Sequence, residues 1–503
     1  MSPEQPAGVS LGSGGQETCR SARRKLLWEL GAGFGGLALT DLLRKDSFFA
    51  PAVAAGESKS SLVRPLAERA SHFAPRAKHV IFLFMYGGPT SMDSWDYKPE
   101  LQSRHGQTVD IEIRRRSIQK QKLLGSQRKF TQHGQSGMWG SDAFPWINRC
   151  LDEICVVKSL YADTFAHGSA MIQMNSGRII QGHPTVGSWV GYGLGSVNDN
   201  LPGYVVMLDP RGGPISGAAN WSAGFMPAAY QGTHLRNKGE PILDLTPEAT
   251  ISREAQRDLI DTLDRLNRRH MSQRPGYSEL AARIASYELA YQLQSTAPEA
   301  LDLAQETERT LDLYGLQGAH EATHKKSLGP RPFGAQCLIA RRLVERGVRF
   351  VQIYSGGGHG EETWDAHGNV ETNLKIHAPE IDRPIYGLIT DLKQRGLLDD
   401  TLIVWGGEFG RQPVAQNSGG RDHNAKGFLY WMAGGGVKGG HAHGETDPLG
   451  HQAEIDRHHV RDLHATILYL LGLDHEKLTY FYGGLDHKLT GVQQAEVIQD
   501  VIA

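Results

Sequence analysis

The amino-acid sequence predicts an α/β fold, a three-layer sandwich around a mostly parallel sheet. Several continuous apolar runs end in glycine-rich segments, a pattern typical of strands buried on both faces of a parallel sheet. Stretches with helical spacing of apolar residues lie between these runs, as expected when helices cover both faces of the sheet. The 503 residues are 39% hydrophobic and carry mixed charges with a formal net charge of −2. This composition excludes a disordered chain and a protein that binds nucleic acid through bulk positive charge.

Five apolar runs are predicted as strands. They span 79–85, 204–208, 348–354, 401–405 and 428–432, and most are followed within two residues by a glycine pair or triplet. The carboxyl ends of parallel strands meet at one edge of a sheet, where ligands bind. We therefore expect the polar residues that follow these strands to gather at that edge.

Two amphipathic helices are predicted between and after these strands. One spans 381–395 and ends at Gly396, and the other spans 463–471 and ends at Gly472. The first helix connects the third and fourth predicted strands, which makes one βαβ unit.

Residues 1–55 are predicted to be a twin-arginine export signal. Arg23 and Arg24 precede a short, weakly apolar run, and the small residues Ala52 and Ala54 form a cleavage-like A-x-A site. The alternative is an amphipathic helix on the folded domain. The export route predicts a periplasmic or extracellular protein. The sequence has no window of about 20 apolar residues, so we expect no transmembrane span in the mature domain.

The remainder, 70–503, is predicted to be an α/β domain with one helical excursion, the polar and helix-prone segment 252–325. Cys150 and Cys155 lie five residues apart. In an oxidising compartment they either form a disulfide or remain buried thiols, and the sequence leaves both open.

Candidate metal ligands follow the predicted strands. Asp365 and His367 lie two residues apart after the third strand, so on a loop both reach one ion; the alternative is that they fix the loop by hydrogen bonds. Glu408 follows the fourth strand and either binds a cation or is neutralised by Arg411. Arg411 alternatively holds an anionic group through a planar, bidentate contact.

Further candidates lie near the same edge. His423 precedes the last predicted strand and either ligates the ion or pairs with Asp422. Asp93 follows the first strand and either approaches the same crevice or caps a helix. A glycine-assisted turn into a helix carries His167 and Ser169, and both are candidates for the reacting residue. The alternative for this turn is a capped helix start.

Histidines and carboxylates from at least three strand ends thus converge, which predicts a divalent metal ion whose identity the mixed ligands leave open. The predicted metal ligands are Asp93, Asp365, His367, Glu408 and His423, and the predicted catalytic residues are His167, Ser169 and Arg411.

Several motifs together resemble the bacterial exported family called domain of unknown function 1501. They are Phe84 to Pro89 with Asp93, Pro184 to Trp189, Gly407 to Arg411, Gly420 to Asn424, and Asp462 to Thr466. The resemblance runs from about residue 70 to the C-terminus. It implies an alkaline phosphatase- and sulfatase-like fold, and a metal-dependent hydrolase acting on phosphate or sulfate esters.

The pattern of metal ligands and reacting residues in the alkaline phosphatase and sulfatase superfamily is only partly kept in this sequence. By resemblance, Asp365, His367 and His423 take the places of metal ligands, and Glu408 takes the acidic place of a ligand pair. Phe409, in the second place of that pair, cannot ligate a metal. His167 stands where sulfatases carry the residue that becomes formylglycine, so that mechanism has no residue at this position. These departures imply one metal instead of two, or a degenerate site.

The leading functional hypothesis is an exported metal-dependent hydrolase of sulfate or phosphate esters, whose substrate is an anionic ester or a sulfated or phosphorylated glycan. The alternative is a non-catalytic exported binding or assembly protein that keeps the fold with a degenerate site. Its ligand would be an anionic glycan or a protein partner. An oxidoreductase is not supported, because no strand-bounded G-x-G-x-x-G motif with a suitably placed acidic residue is present.

Overall fold

The computed structural model describes residues 65–113, 117–198, 200–236, 252–272, 287–288, 291–293, 297–318, 324–417 and 419–503. The predicted export signal at 1–55 lies outside the described residues and stays a prediction. Among the residues the structure describes, no helix is long and apolar enough to cross a membrane.

The described chain contains both strands and α-helices, and strands are consecutive over long stretches, for example over residues 401–459. The strands are β1 (His79–Met85), β2 (Thr108–Ile113), β3 (Ser117–Lys122), β4 (Phe130–His133), β5 (Met138–Ser141), β6 (Ile154–Tyr161), β7 (Tyr204–Met207), β8 (Thr233–Leu235), β9 (Phe350–Ser355), β10 (Thr401–Gly406), β11 (Gly410–Arg411), β12 (His423–Asn424), β13 (Phe428–Ala433), β14 (His441–His443), β15 (Glu445–Thr446), β16 (Ala453–Ile455), β17 (His458–His459), β18 (Tyr480–Tyr482) and β19 (Leu485–His487). The α-helices are α1 (Pro99–Ser103), α2 (His167–Ser176), α3 (Val186–Leu194), α4 (Arg253–Ser272), α5 (Glu308–Leu313), α6 (Arg331–Glu345), α7 (Val370–Gln394) and α8 (Val460–Leu470).

A large, mostly parallel sheet forms the centre of the fold. Its strand order is β14-β6-β13-β10-β1-β9-β7-β8, with β17 also paired to β6. In this sheet β13 runs antiparallel to both of its neighbours, and the other pairings are parallel. The predicted α/β class with a mostly parallel sheet is confirmed.

Helices cover both faces of the sheet and give the predicted three layers. Successive side chains of β1 alternate: Ile81 and Leu83 pack with residues of α6 and α7, whereas Phe82 and Phe84 pack with residues of α2, α3 and α8. Because both sets are buried, each strand reads as a continuous apolar run rather than an alternating one.

The predicted elements lie close to the observed ones, with one clear difference. Each of the five predicted strands is found within two residues of its predicted ends. Helix α7, however, begins at Val370 instead of 381, because the Asn369 side chain caps it by accepting a hydrogen bond from the Thr372 N–H at 2.8 Å. Pro379 and Pro384 lie inside this helix.

The remaining predictions concern the excursion and the cysteines. Within 252–325 the structure describes the helices α4 and α5, and the bounds of the excursion stay a prediction. Cys150 and Cys155 are buried free thiols rather than a disulfide. Burial raises the pKa of both thiols to about 12, so they remain protonated at neutral pH.

Candidate metal centre

Three histidines and one aspartate meet at the carboxyl edge of the sheet. His167 is the first residue of α2 and follows β6, Asp365 and His367 lie on the loop after β9, and His423 begins β12 between β10 and β13. One potential ligand atom from each of these four residues lies within 4.8 Å of the others. We call these four residues the metal centre.

The Nε2 atoms of the three imidazoles converge around the Asp365 carboxylate. His367 Nε2 and His423 Nε2 lie 3.0 and 3.1 Å from Asp365 Oδ1, and His167 Nε2 lies 3.3 Å from Asp365 Oδ2. The two nitrogens His367 Nε2 and His423 Nε2 are 2.9 Å apart. Two ligands bound at about 2.1 Å to one tetrahedral ion would lie about 3.4 Å apart, so these separations suit a single small cation.

The opposite nitrogen of each imidazole faces a hydrogen-bond acceptor. His167 Nδ1 lies 2.6 Å from Glu408 Oε1, His367 Nδ1 lies 2.6 Å from Gln416 Oε1, and His423 Nδ1 lies 2.8 Å from the Phe165 carbonyl oxygen. A neutral imidazole carries one proton, so a ring that is neutral and donates from Nδ1 directs its Nε2 lone pair inward. Outer partners that fix ligand tautomers in this way are typical of metal-bound histidines.

The electrostatics of the centre favour a cation. Burial raises the pKa of Asp365, but hydrogen bonds from three histidines and the charge of Arg411 outweigh burial and hold the pKa far below its usual range. Burial lowers the pKa of His167, but Asp365 and Glu408 outweigh burial and raise it to about 9. Burial lowers the pKa of His423 to about 4, against the opposing effect of Asp365. Without an ion, His167 is therefore protonated at neutral pH and donates from Nε2 to Asp365, and a divalent ion bound there would replace that proton.

Glu408 lies behind His167 rather than among the four converging atoms. Its carboxylate is fully buried, and both of its oxygens accept from the Gly87 N–H, at 3.0 and 3.1 Å. Gly87 has φ +116°, and a Cβ there would meet backbone atoms of Trp364 and Asp365 within 2.8 Å, so only glycine fits. The structure thus places Glu408 in contact with His167 and outside the group of four converging atoms.

Arg411 is fully buried, and its three nitrogens donate hydrogen bonds to groups within the protein. Its Nε donates to the Gly88 carbonyl oxygen at 2.8 Å, and its Nη1 donates to the Arg421 carbonyl oxygen at 3.1 Å. Its Nη2 donates to Asp365 Oδ1 at 2.6 Å and to the Gly87 carbonyl oxygen. The guanidinium therefore holds Asp365 and the turn after β1.

Asp93 lies outside the metal centre and forms a buried ion pair. Its Oδ2 accepts from Arg421 Nε at 2.9 Å and from Thr90 Oγ1 at 2.6 Å. Burial raises the pKa of Asp93, but the pairing with Arg421 outweighs burial and lowers it. This pair holds the segment that carries His423, two residues after Arg421.

Phe409 closes one side of the centre. Its ring centroid lies 4.4 Å from that of His423 and 5.0 Å from that of His167. Gly88 has φ +76°, and a Cβ there would approach the Phe409 ring to 2.7 Å, so the close packing depends on this glycine.

Ser169 lies at the start of α2, two residues after His167. Its hydroxyl is 3.1 Å from Thr164 Oγ1 and donates to the Ala166 carbonyl oxygen at 3.2 Å. Among the described residues no side chain caps this end of α2. The first backbone N–H groups of a helix have no partner within it, so this end presents donors next to the metal centre.

Sequence reasoning missed three features of the centre. His167 lies in the group of candidate ligands, although we expected it to react or to act as an acid or base. Gln416 and the Phe165 carbonyl group orient two histidines, and no pattern in the sequence marked either of them. Their positions follow from how distant loops pack.

Comparisons with known proteins place the chain in a family. The model of the family described as "Protein of unknown function (DUF1501)" matches residues 77–502, which confirms the resemblance. No curated protein gives a significant match.

Solved structures give distant matches. A sulfatase, PsFucS1, from Pseudoalteromonas sp. is 11% identical, with 83% of this chain and 72% of that chain covered, at a TM-score of 0.36. The phosphonate monoester hydrolase SpPMH from Silicibacter pomeroyi is 13% identical, with 65% and 68% covered, at 0.31. The lipoteichoic acid synthase LtaP from Listeria monocytogenes is 9% identical, with 82% and 77% covered, at 0.31. At these identities and TM-scores, the chemistry of this chain must be inferred from its own residues.

Proposed function

The chain belongs to this family of proteins of unknown function, and we propose that it is an exported hydrolase of sulfate or phosphate esters that uses one divalent metal ion. The ligands would be His167, Asp365, His367 and His423. The observation that carries the proposal is the convergence of three Nε2 atoms on one carboxylate while each Nδ1 faces its own acceptor. Because an acceptor fixes each Nδ1 proton, loss of the Nε2 proton from any of these rings leaves a lone pair directed at the same point beside Asp365, as a metal site requires.

The chain's own residues prepare this site for an anionic ester. A bound divalent ion would polarise the ester oxygen or lower the pKa of a water molecule. Glu408, Gln416 and the Phe165 carbonyl group keep the three histidines in the orientation that binds a cation. Arg411 keeps Asp365 in place, so we now assign it a positioning role instead of direct contact with the substrate.

The start of α2 supplies the second half of the proposed site. Its uncapped N–H groups and the positive end of the helix dipole favour a negatively charged group beside His167. Ser169 lies on this first turn, and we propose its hydroxyl as the nucleophile or the proton donor. A formylglycine mechanism is not part of the proposal, because residue 167 is histidine.

The first experiment measures the metal content of protein purified without chelators, by plasma mass spectrometry. We expect about one equivalent of a single divalent metal, as a four-ligand site predicts. The variant His423→Ala should lose it, whereas His441→Ala, which removes a histidine outside the metal centre, should keep it. A folded wild-type protein without bound metal would contradict the proposal.

Screening the metal-loaded protein against sulfate and phosphate esters then separates the two functional hypotheses. Turnover that disappears in His423→Ala supports the hydrolase. Stoichiometric metal without turnover of any such ester would favour the non-catalytic binding or assembly protein.

A further inference from the structure

The charged side chains around the metal centre balance a divalent ion. Those in contact with its members are Glu408 at 2.6 Å from His167, Asp422 at 3.8 Å from His367, and Arg411 at 2.6 Å from Asp365. Together with Asp365 itself, three carboxylates and one guanidinium carry a formal charge of −2 among the described residues. Three neutral imidazoles and a divalent ion would make the whole centre electrically neutral.

Neither arginine near the centre is available to a substrate. Arg411 is fully buried, and its three nitrogens donate to Asp365 and to backbone carbonyl oxygens. Arg421 is almost fully buried, and it donates to Asp93 at 2.9 Å and to the Gln412 carbonyl oxygen at 3.2 Å. A substrate anion would therefore be held by the ion and by the uncapped start of α2 rather than by a cationic side chain.

We infer that the site selects tetrahedral esters with a single negative charge, namely sulfate monoesters or phosphodiesters, over doubly charged phosphate monoesters. The inference rests on the proposed function and names its substrate class. The start of a helix offers about half a positive charge, which suits one negative charge on the ligand. A second negative charge would lose its hydration at a neutral centre and gain no counter-charge in return.

The test measures the binding of small, unreactive esters to the full chain loaded with one equivalent of zinc or manganese. Isothermal titration compares methyl sulfate, dimethyl phosphate and methyl phosphate at about pH 8, where the phosphate monoester is a dianion because its second pKa is about 6. We expect methyl phosphate to bind at least about tenfold more weakly than the better of the two monoanions, because its second charge is uncompensated.

A charge variant tests the electrostatic cause. Asp422→Asn removes one negative charge near His367 and keeps the oxygen that accepts the His423 N–H at 2.8 Å. We expect it to shift the ratio of the dissociation constants for methyl phosphate and methyl sulfate about threefold or more toward the dianion. Glu476→Gln makes the same charge change at an exposed position paired with Lys488 and should leave the ratio unchanged.

The outcomes separate this inference from the function on which it rests. If the wild-type protein binds metal but prefers methyl phosphate, or binds neither monoanion, the charge inference is overturned while the metal centre stands. If the folded protein binds no metal, the proposed function itself fails. A preference for dimethyl phosphate over methyl sulfate identifies phosphodiesters as the substrates, and the reverse identifies sulfate monoesters. The comparison uses the wild-type protein, so it does not depend on the folding of a variant.

Discussion

Two places among the described residues bring histidine Nε2 atoms to the same separation, yet only one of them belongs to a candidate metal centre. In the metal centre His367 Nε2 and His423 Nε2 are 2.9 Å apart, and at the sheet edge His443 Nε2 and His458 Nε2 are also 2.9 Å apart. We call His443 and His458 the edge pair. Its rings stack at 5.0 Å between centroids.

The difference lies in what surrounds the two contacts. In the metal centre a carboxylate is shared by three imidazoles, and an acceptor fixes each Nδ1. Among the described residues a carboxylate lies within 4 Å of only one ring of the edge pair: Asp462 Oδ2 is 3.6 Å from His458 Nδ1. Among the described residues it belongs to no group of three or more ligating side chains. One ring can donate to the other there, so no cation is required.

The largest expected effect comes from removing the shared carboxylate. Asp365→Asn keeps the shape of the side chain but removes its charge and one acceptor oxygen. Because replacing a residue that only orients a ligand lowers metal affinity about 10–100-fold, we expect the replacement of a ligand to lower it by about a hundredfold or more. Competition with a chromogenic chelator measures it.

The matched control for Asp365→Asn is His458→Ala, which breaks the edge pair. It should leave both the stoichiometry and the affinity of the metal unchanged. Equal losses in the two variants would remove the distinction between the two histidine contacts.

The sequence predicted the fold well because its signals are local. The run 79–85 and its counterparts are buried on both faces, so their apolar character is continuous and easily recognised. The start of α7 was missed because Pro379 inside the helix resembles a helix boundary in the sequence, whereas the true start depends on the side chain of Asn369.

The site was predicted less completely because its roles depend on contacts distant in sequence. Asp365, His367 and His423 were chosen as ligands because they adjoin strand ends, and the structure brings these three together. Glu408 also adjoins a strand end, but the turn at Gly87 and the ring of His167 enclose its carboxylate. No local pattern distinguishes a ligand from a residue that orients one.

The next largest effect, on the pH dependence of stability, is expected at a fully buried histidine whose hydrogen bond goes to a backbone carbonyl oxygen. His464 in α8 donates through Nε2 to the Met174 carbonyl oxygen at 2.8 Å. Burial lowers the pKa of His464 from 6.5 to about 4. As the pH falls below 6.5, the unfolded chain takes up this proton before the folded one. The stabilisation by neutral His464 is therefore complete above pH 6.5 and is lost progressively toward pH 4.

Denaturant titrations between neutral pH and about pH 5 test this linkage, with about 2 kcal/mol of unfolding free energy at stake. The variant His464→Gln, compared with the wild-type protein at the same metal concentration, should lack that part of the pH dependence. Parallel pH profiles for the two proteins would show that His464 titrates normally.

The smallest expected effect concerns the outer partner of His167. Glu408→Gln leaves an oxygen that accepts from His167 Nδ1, but it removes the negative charge that strengthens the imidazole as a ligand. We expect metal affinity to fall about tenfold, within the range for outer-shell changes, while the stoichiometry stays the same.

The control for Glu408→Gln is Asp462→Asn, the same chemical change beside the edge pair. Asp462 caps the start of α8 by accepting from the His459 N–H at 2.8 Å, so its replacement should lower stability without altering metal affinity. If metal affinity instead fell in Asp462→Asn and not in Glu408→Gln, the metal would have to be assigned to the edge pair. Metal affinity would then depend less on a carboxylate that contacts a histidine than on the number of histidines nearby. A selective loss in Glu408→Gln would instead show that the proton on Nδ1, set by a residue that never touches the ion, distinguishes a ligand set from a packed pair.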